Sequence, residues 1–173
     1  MQHVFQSKVN SCIAACVVMV RNALGEDISE EDVFDEWGDV PNKGYDFYKP
    51  RTLTNAKLLR LYLDEEGALQ TLEAMLQDHL AICIVRGGPM TVFYQKHTPE
   101  LISPYGVLCT RFADHDALMG CPLPHHAIVL TGYSNETITF FDPYHDEEHQ
   151  PLLMSAEHLA CSEIGIFYFF ARV

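Results

Sequence analysis

The sequence has few basic residues and no motif for binding a nucleotide or a structural metal. Only 11 of its 173 residues are Lys or Arg, against 24 Asp and Glu, so the formal charge at pH 7 is -13. Because nucleic-acid binding needs clustered Lys and Arg, this balance argues against nucleic acid as a partner. Glycine-rich and P-loop phosphate motifs are absent, and no C-x-x-C pair occurs. We therefore expect neither a metal ion nor an organic cofactor.

Long apolar runs are also missing. No run reaches the roughly 18 residues that a membrane helix needs, so we expect no membrane insertion. The start of the chain, MQHVFQSK, lacks the basic residues and apolar core of a secretory signal. The 6 cysteines fit reduced thiols better than a disulfide scaffold in a chain of this length. These features predict a soluble, cytoplasmic protein that begins close to its native start, with a secreted effector without a cleavable signal peptide as the alternative.

The chain has enough apolar residues to form a core. Its hydrophobic fraction of 48% and its length fit a single domain over residues 1–173. Residues 12–24, CIAACVVMVRNAL, are apolar nearly all round and predict a central buried helix. Asn10 or Ser11 is suited to begin this helix, and Gly25 to end it.

Further helices are predicted before residue 80. A capping-box pattern at Ser29 predicts a helix that ends at Trp37. The leucine-rich segment that begins at Thr54 and ends at Gly67 predicts another helix with an apolar face. Residues 71–77 predict one more short helix. The first 80 residues should therefore be mainly helical.

The second half of the sequence is typical of strands. HLAICIVRGG reads as a buried strand, and HAIVLTGY and TITFFDP, separated by SNE, predict a hairpin. IGIFYFFARV predicts an aromatic strand that closes the chain. Residues 87–124 have no clear pattern, so we expect a long loop or an insertion there, with room for one strand near YGVLCTRF. Helices followed by antiparallel strands indicate an α+β fold.

The segment FQSKVNSCIAACVVMV contains a candidate nucleophile. Cys12 falls in the first turn of the predicted helix, where unpaired N–H groups and the helix dipole favour a thiolate. Cys16 lies one turn further on and fits a small buried core residue. Taken alone, Cys12 also fits a small buried core residue, and only a catalytic partner would distinguish it from Cys16.

The predicted hairpin supplies such a partner. A cysteine nucleophile needs a base, usually histidine, and a group that orients this base. If Tyr133 pairs with Thr137 across the turn, the alternation of side chains puts His126 on the same face as Asp142. The two residues are then diagonal neighbours about 7–8 Å apart between backbones, within reach of their side chains. The alternative is a strand-ending Asp-Pro turn without a catalytic role.

Gln6 is the candidate for the remaining function, stabilisation of an oxyanion. A tetrahedral intermediate needs two hydrogen-bond donors, and the backbone N–H of Cys12 can supply one of them. The side-chain amide of Gln6 can supply the other if the chain folds back against the helix start. The alternative is an exposed surface glutamine.

These residues resemble the motifs of a known family, the C39 peptidases. These papain-like domains trim double-glycine leader peptides in bacteriocin exporters, and they begin with Gln, five residues, Cys, three residues, Cys, two residues and Met. Four residues stand at those positions: Gln6, Cys12, Cys16 and Met19. HAIVLTGYSNETITFFDP resembles their second motif, with His126 and Asp142 in place. The resemblance spans most of the chain except residues 87–124.

The resemblance implies a papain-like fold, in which a helical N-terminal half packs against an antiparallel sheet and the active-site cleft lies between them. It also implies a cysteine protease that acts on a peptide or protein substrate, with cleavage after small residues such as glycine. Cys12 would then be the nucleophile, His126 the base, Asp142 its orienting group and Gln6 an oxyanion donor.

Two alternatives to the protease remain, and one position departs from the family pattern. The first motif also resembles phytochelatin synthase, which points to acyl or peptidyl transfer by the same residues. A non-catalytic peptide-binding module with the papain-like cleft is the other alternative. Ile13 replaces the glycine that usually follows the nucleophile, so a branched side chain would crowd the cleft or change its specificity. The sequence leaves the oligomeric state open.

Overall fold

Six antiparallel strands form one sheet in the computed structural model, which describes residues 1–7, 11–38, 52–97, 125–145 and 147–172. The strand order is β1-β6-β2-β3-β4-β5. The strands are β1 (Lys57–Arg60), β2 (His79–Arg86), β3 (His125–Ser134), β4 (Thr137–Phe141), β5 (Leu152–Ser155) and β6 (Glu163–Ala171). The helices are α1 (Cys12–Ala23), α2 (Glu30–Trp37), α3 (Ala68–Asp78), α4 (Gly87–His97) and α5 (Ala156–Ser162), with a 3-10 turn at Glu147–His149.

Helices α1 and α2 cover one face of the sheet. Every residue of α1 from Cys12 to Val20 is buried, which confirms the prediction of a central helix that is apolar on all sides. The cluster beneath it includes Ile82 and Ile84 of β2 and Val129 of β3. The helical N-terminal part of the chain thus packs on the sheet, as the family resemblance implies.

The opposite face of the sheet is covered by α3, α4 and α5. Here Ala81, Cys83 and Val85 of β2 contribute to a second apolar cluster, together with Leu72 of α3 and Tyr94 of α4. Because β2 is buried on both faces, its sequence is a continuous apolar run without alternation. The α+β class predicted from the sequence is confirmed, with helices on both faces of the sheet.

The predicted helix from Thr54 to Gly67 is wrong. Lys57–Arg60 forms the edge strand β1, which pairs antiparallel with β6 so that Leu58 lies opposite Tyr168. The backbone partners that β6 offers outweigh the helix preference of a leucine-rich segment. A turn leads to Gly67, and α3 then begins at Ala68, which confirms the short helix predicted over residues 71–77 and extends it.

The segment after β2 also differs from its prediction. Residues 87–97 form α4 and not a loop, and the two glycines that were interpreted as a strand stop begin this helix. Residues 98–124, with the proposed strand near YGVLCTRF, lie outside the described residues, so a single domain with an insertion there stays a prediction. β5 and α5 were not predicted. Among the helices of the described ranges, none is long and apolar enough to cross a membrane.

The capping box at the start of α2 is formed as the sequence predicts. The Ser29 hydroxyl accepts the N–H of Asp32 at 3.3 Å, and the Asp32 carboxylate accepts the N–H of Ser29 at 2.8 Å. Ser29→Ala should lower the free energy of unfolding by about 0.5–2 kcal/mol, because one end of the helix loses its acceptor. Urea unfolding measures this change. Ser134→Ala, at the exposed end of β3 where the serine caps no helix, is the control, and an equal loss in both variants would contradict the prediction.

Candidate active site

The β3–β4 hairpin reverses the chain at a two-residue turn. Asn135 and Glu136 both have positive φ, 49° and 59°, the geometry that suits the twist of a tight hairpin. Next to this turn Tyr133 pairs with Ile138, so the predicted pairing of Tyr133 with Thr137 is wrong by one residue.

A β-bulge corrects the register before the hairpin reaches its other end. The bulge lies between Leu130 and Gly132 and adds one residue to β3, and beyond it Val129 pairs with Phe141. Continuing this register places Asp142 opposite Ile128, the same alignment that a pairing of Tyr133 with Thr137 without a bulge would have given. The error at the turn and the unpredicted bulge therefore cancel at the end of the hairpin where His126 lies.

His126 and Asp142 are in direct contact. The imidazole Nε2 lies 2.8 Å from Oδ1 of Asp142, and both side chains have no exposed surface. Since β3 and β4 are antiparallel, the start of one and the end of the other meet at the same end of the sheet. The alternation of side chains along the two strands thus correctly predicts this contact.

The Asp142 carboxylate has two further donors. The backbone N–H of Tyr144 donates to Oδ1 at 2.7 Å, and the hydroxyl of Tyr94 donates to Oδ2. A buried carboxylate without such partners would be strongly unfavourable as a charged group. Three donors on its two oxygens allow Asp142 to stay ionised inside the protein.

The side chain of Gln150 hydrogen-bonds both backbone groups of Asp142, as a neighbouring strand would do. The amide of Gln150 accepts the N–H of Asp142 and donates to its carbonyl, each at 3.1 Å. His3 Nε2 also lies 3.0 Å from this carbonyl, which can only accept a hydrogen bond. The aspartate is fixed at main chain and side chain alike, although β4 ends one residue earlier.

Burial and charge act in opposite directions on this pair. Burial alone disfavours the charged form of His126, but the charge and hydrogen bond of Asp142, with a smaller contribution from Cys12, outweigh it and raise the pKa of His126 to about 10. Burial also opposes ionisation of Asp142, yet the imidazolium of His126 holds the pKa of Asp142 well below its usual range. The pair is therefore an imidazolium and a carboxylate at neutral pH.

Cys12 approaches the other side of the imidazole. It is the first residue of α1, after Ser11 at the N-cap, and only 7% of its surface is exposed. Cys12 acts electrostatically on His126 in the direction that raises the pKa of the imidazole. Because Nε2 is bound to Asp142, the nitrogen that remains for the thiol is Nδ1, which is buried and has no hydrogen-bond partner within the described residues.

Gln6 is buried beside these three residues and is not the exposed glutamine of the alternative interpretation. Its backbone N–H donates to the carbonyl of Pro143 at 3.1 Å, and its side chain hydrogen-bonds the phenol of Tyr144. The Tyr144 ring in turn lies 4.6 Å from the His126 ring. The structure therefore brings all four predicted site residues into one neighbourhood.

Ile13 does not crowd this site. Its side chain is 1% exposed and belongs to the apolar cluster between α1 and the sheet. The branched side chain thus fills core space, and the expectation that it narrows a cleft has no support in this packing.

The family comparison covers the part of the chain that carries this site. The model of the Peptidase_C39 like family matches residues 1–159, a range that includes all four of these residues. The chain belongs to the Peptidase_C39 like family. This membership connects it with cysteine-peptidase-type function and confirms the resemblance found in its motifs. No curated protein matches the chain.

Four polar residues that contact Asp142 in this Peptidase_C39 like protein were missed by sequence reasoning. They are His3, Tyr94, Tyr144 and Gln150. Tyr144 carries a usable signal, because it follows the Asp-Pro pair at the strand end. Tyr94 lies in the segment interpreted as a loop, and no local pattern marks it. Within the described ranges no group of three or more His, Cys, Asp or Glu side chains is placed to hold a metal ion.

The charged pair predicts how stability depends on pH. The folded-state pKa of His126 lies near 10, above its ordinary 6.5, so its stabilising contribution is complete below pH 6.5 and is lost as pH rises through 10. The pKa of Asp142 is depressed from 3.8, so its contribution is present above pH 3.8 and is lost as pH falls further.

Asp142→Asn should reverse the first of these trends. Without the carboxylate charge, burial disfavours imidazolium, and the free energy of unfolding should rise between about pH 5 and 7 relative to the parent protein. Urea unfolding of both proteins over this range checks the sign. Parallel pH profiles would contradict the assigned ion pair.

Proposed function

We propose that this member of the Peptidase_C39 like family is a cysteine protease that hydrolyses peptide bonds with Cys12, His126 and Asp142. The observation that carries the proposal is the position of the His126 ring. One ring nitrogen lies 2.8 Å from a buried carboxylate, and the thiol of Cys12 interacts with the same ring. A nucleophile, a base and a group that orients the base are the parts that covalent acyl transfer needs.

In the proposed reaction the thiol proton of Cys12 already resides on Nδ1 of His126 before the substrate binds, so that a thiolate faces an imidazolium. The thiolate sulfur then attacks the carbonyl carbon of the scissile bond. The C–N bond breaks as the imidazolium returns its proton to the leaving amine, which gives a thioester and a free amine. A water molecule, deprotonated by His126, attacks the thioester and releases the carboxylic acid and the thiol.

The surroundings of the ring support these roles. With a pKa near 10, His126 remains an imidazolium at neutral pH and can protonate an amine that leaves. Asp142 stabilises this charge and fixes the ring, as the group behind a catalytic histidine must. Gln6 and the backbone N–H of Cys12 are the proposed oxyanion donors. A reduced thiol is required, which fits the cytoplasmic location expected from the sequence.

The reactivity of Cys12 with iodoacetamide tests the ion pair without any knowledge of the substrate. A thiolate held by imidazolium should react at about pH 6, where an ordinary thiol with a pKa of about 8.5 is mostly protonated. Mass spectrometry of peptides gives the rate for each cysteine, and the exposed Cys161 serves as an internal reference. His126→Gln should abolish the excess reactivity. If Cys12 reacts at pH 6 no faster than Cys161, the non-catalytic module is favoured.

Removal of the nucleophile should abolish turnover and leave the fold intact. Cys12→Ala should show no cleavage of a mixture of synthetic peptides, whereas Cys16→Ala, one helical turn away in the core, should cleave at nearly the parental rate. Product masses measured with and without added glycine amide also distinguish water from an amine as acceptor. Cleavage by Cys12→Ala would refute the proposed nucleophile, and products joined to the amine would favour the transferase.

A further inference from the structure

We propose that Tyr94 is a positioning residue of this site, which fixes the orientation of the Asp142 carboxylate and thereby the His126 ring. The proposal rests on the proposed function. Its basis is the hydrogen bond from the Tyr94 hydroxyl to Oδ2, the carboxylate oxygen opposite the one that binds His126. Tyr94 lies on α4, in a segment where neither the sequence motifs nor the family resemblance marks a functional residue.

The chemistry of the contact assigns the donor. An ionised carboxylate only accepts hydrogen bonds, so the phenol must donate its proton to Asp142. Burial, and then the nearby charge of Asp142, raise the pKa of Tyr94, so the phenol keeps this proton throughout the physiological range. The donor is thus permanent.

The two oxygens of Asp142 have different partners. Oδ1 receives the imidazole of His126 and the N–H of Tyr144, whereas Tyr94 is the donor to Oδ2 among the described residues. Without the phenol, Oδ2 would be a buried acceptor with no donor there. The carboxylate would then be held at Oδ1 alone, and rotation about that oxygen would weaken the bond to His126.

Tyr94 is itself held in place by its surroundings. Its side chain has no exposed surface, and its ring lies 4.1 Å from the ring of His145 and 5.2 Å from that of Phe93. The first turn of α4 is tied to α5, since His158 Nε2 lies 3.1 Å from the carbonyl of Pro89. A helix on the face of the sheet opposite α1, packed against α5, thus supports the aspartate.

Tyr94→Phe removes the hydroxyl and keeps the ring contacts. We expect a roughly 10- to 100-fold lower kcat for the most rapidly cleaved peptide of the mixture, with little change in KM, because a hydrogen bond to a charged group that orients the base is lost. Tyr168→Phe is the matched control, since Tyr168 is equally buried but lies in the cluster beneath α1. Equal losses of kcat in both variants would overturn the proposal.

A double-mutant cycle separates positioning from general stability. If Tyr94 acts through Asp142, Tyr94→Phe should have little further effect on kcat, or on the rate of Cys12 with iodoacetamide, once Asp142→Asn is present. The same fold-loss in both backgrounds would show that Tyr94 does not act through the carboxylate.

Nuclear magnetic resonance of the imidazole tests the geometry even if no peptide is cleaved. The Nε2 proton shared with Asp142 should shift upfield and exchange faster with water in Tyr94→Phe, but not in Tyr168→Phe. If Tyr94→Phe does not fold, incorporation of 3-fluorotyrosine makes the phenol a stronger donor with almost no change in shape, and the same proton should move. An unmoved signal would overturn the positioning role while leaving the proposed peptidase intact.

Discussion

The burial of one negative charge organises this molecule. Asp142 has no exposed surface, and an ionised carboxylate in that position is tolerated only with several donors and a positive partner. The donors come from separate parts of the chain: the imidazole from β3, the phenol of Tyr94 from α4, and the N–H of Tyr144 from the turn after β4. The sheet and the layer that contains α4 must therefore assemble together before the charge is stable.

The sheet places the nucleophile and the base by different means. Cys12 arrives at the start of a helix that is buried all round, so its position depends on the apolar packing of α1. His126 lies on β3 opposite Val85 of β2. Val85 belongs to the apolar cluster on the face of the sheet that α3, α4 and α5 cover. The sulfur and the ring meet because both lie where the strands begin or end. Packing thus brings the thiol to the ring, and hydrogen bonds set the angle of the ring.

Local signals in the sequence explain which parts could be predicted. The α1 helix, the capping box at Ser29, strand β2 and the hairpin all have short-range patterns, and each was predicted. Side-chain alternation was enough to pair His126 with Asp142. β1 was not predicted because its pairing with β6 spans more than a hundred residues and overrides helix preference. Tyr94 could not be found for the same reason, since its partner Asp142 is 48 residues away.

The bulge in β3 gives the two ends of the hairpin different pairing registers. Between Leu130 and Gly132 the strand takes up one extra residue, so the register at the reversal differs from the register where the aspartate follows β4. The tip can therefore adopt the tight geometry seen at Asn135 and Glu136, while the far end keeps the alignment that its chemistry needs. The bulge thus confines a one-residue shift in strand pairing to the turn end of the hairpin, so that the shift does not reach the end where His126 and Asp142 meet.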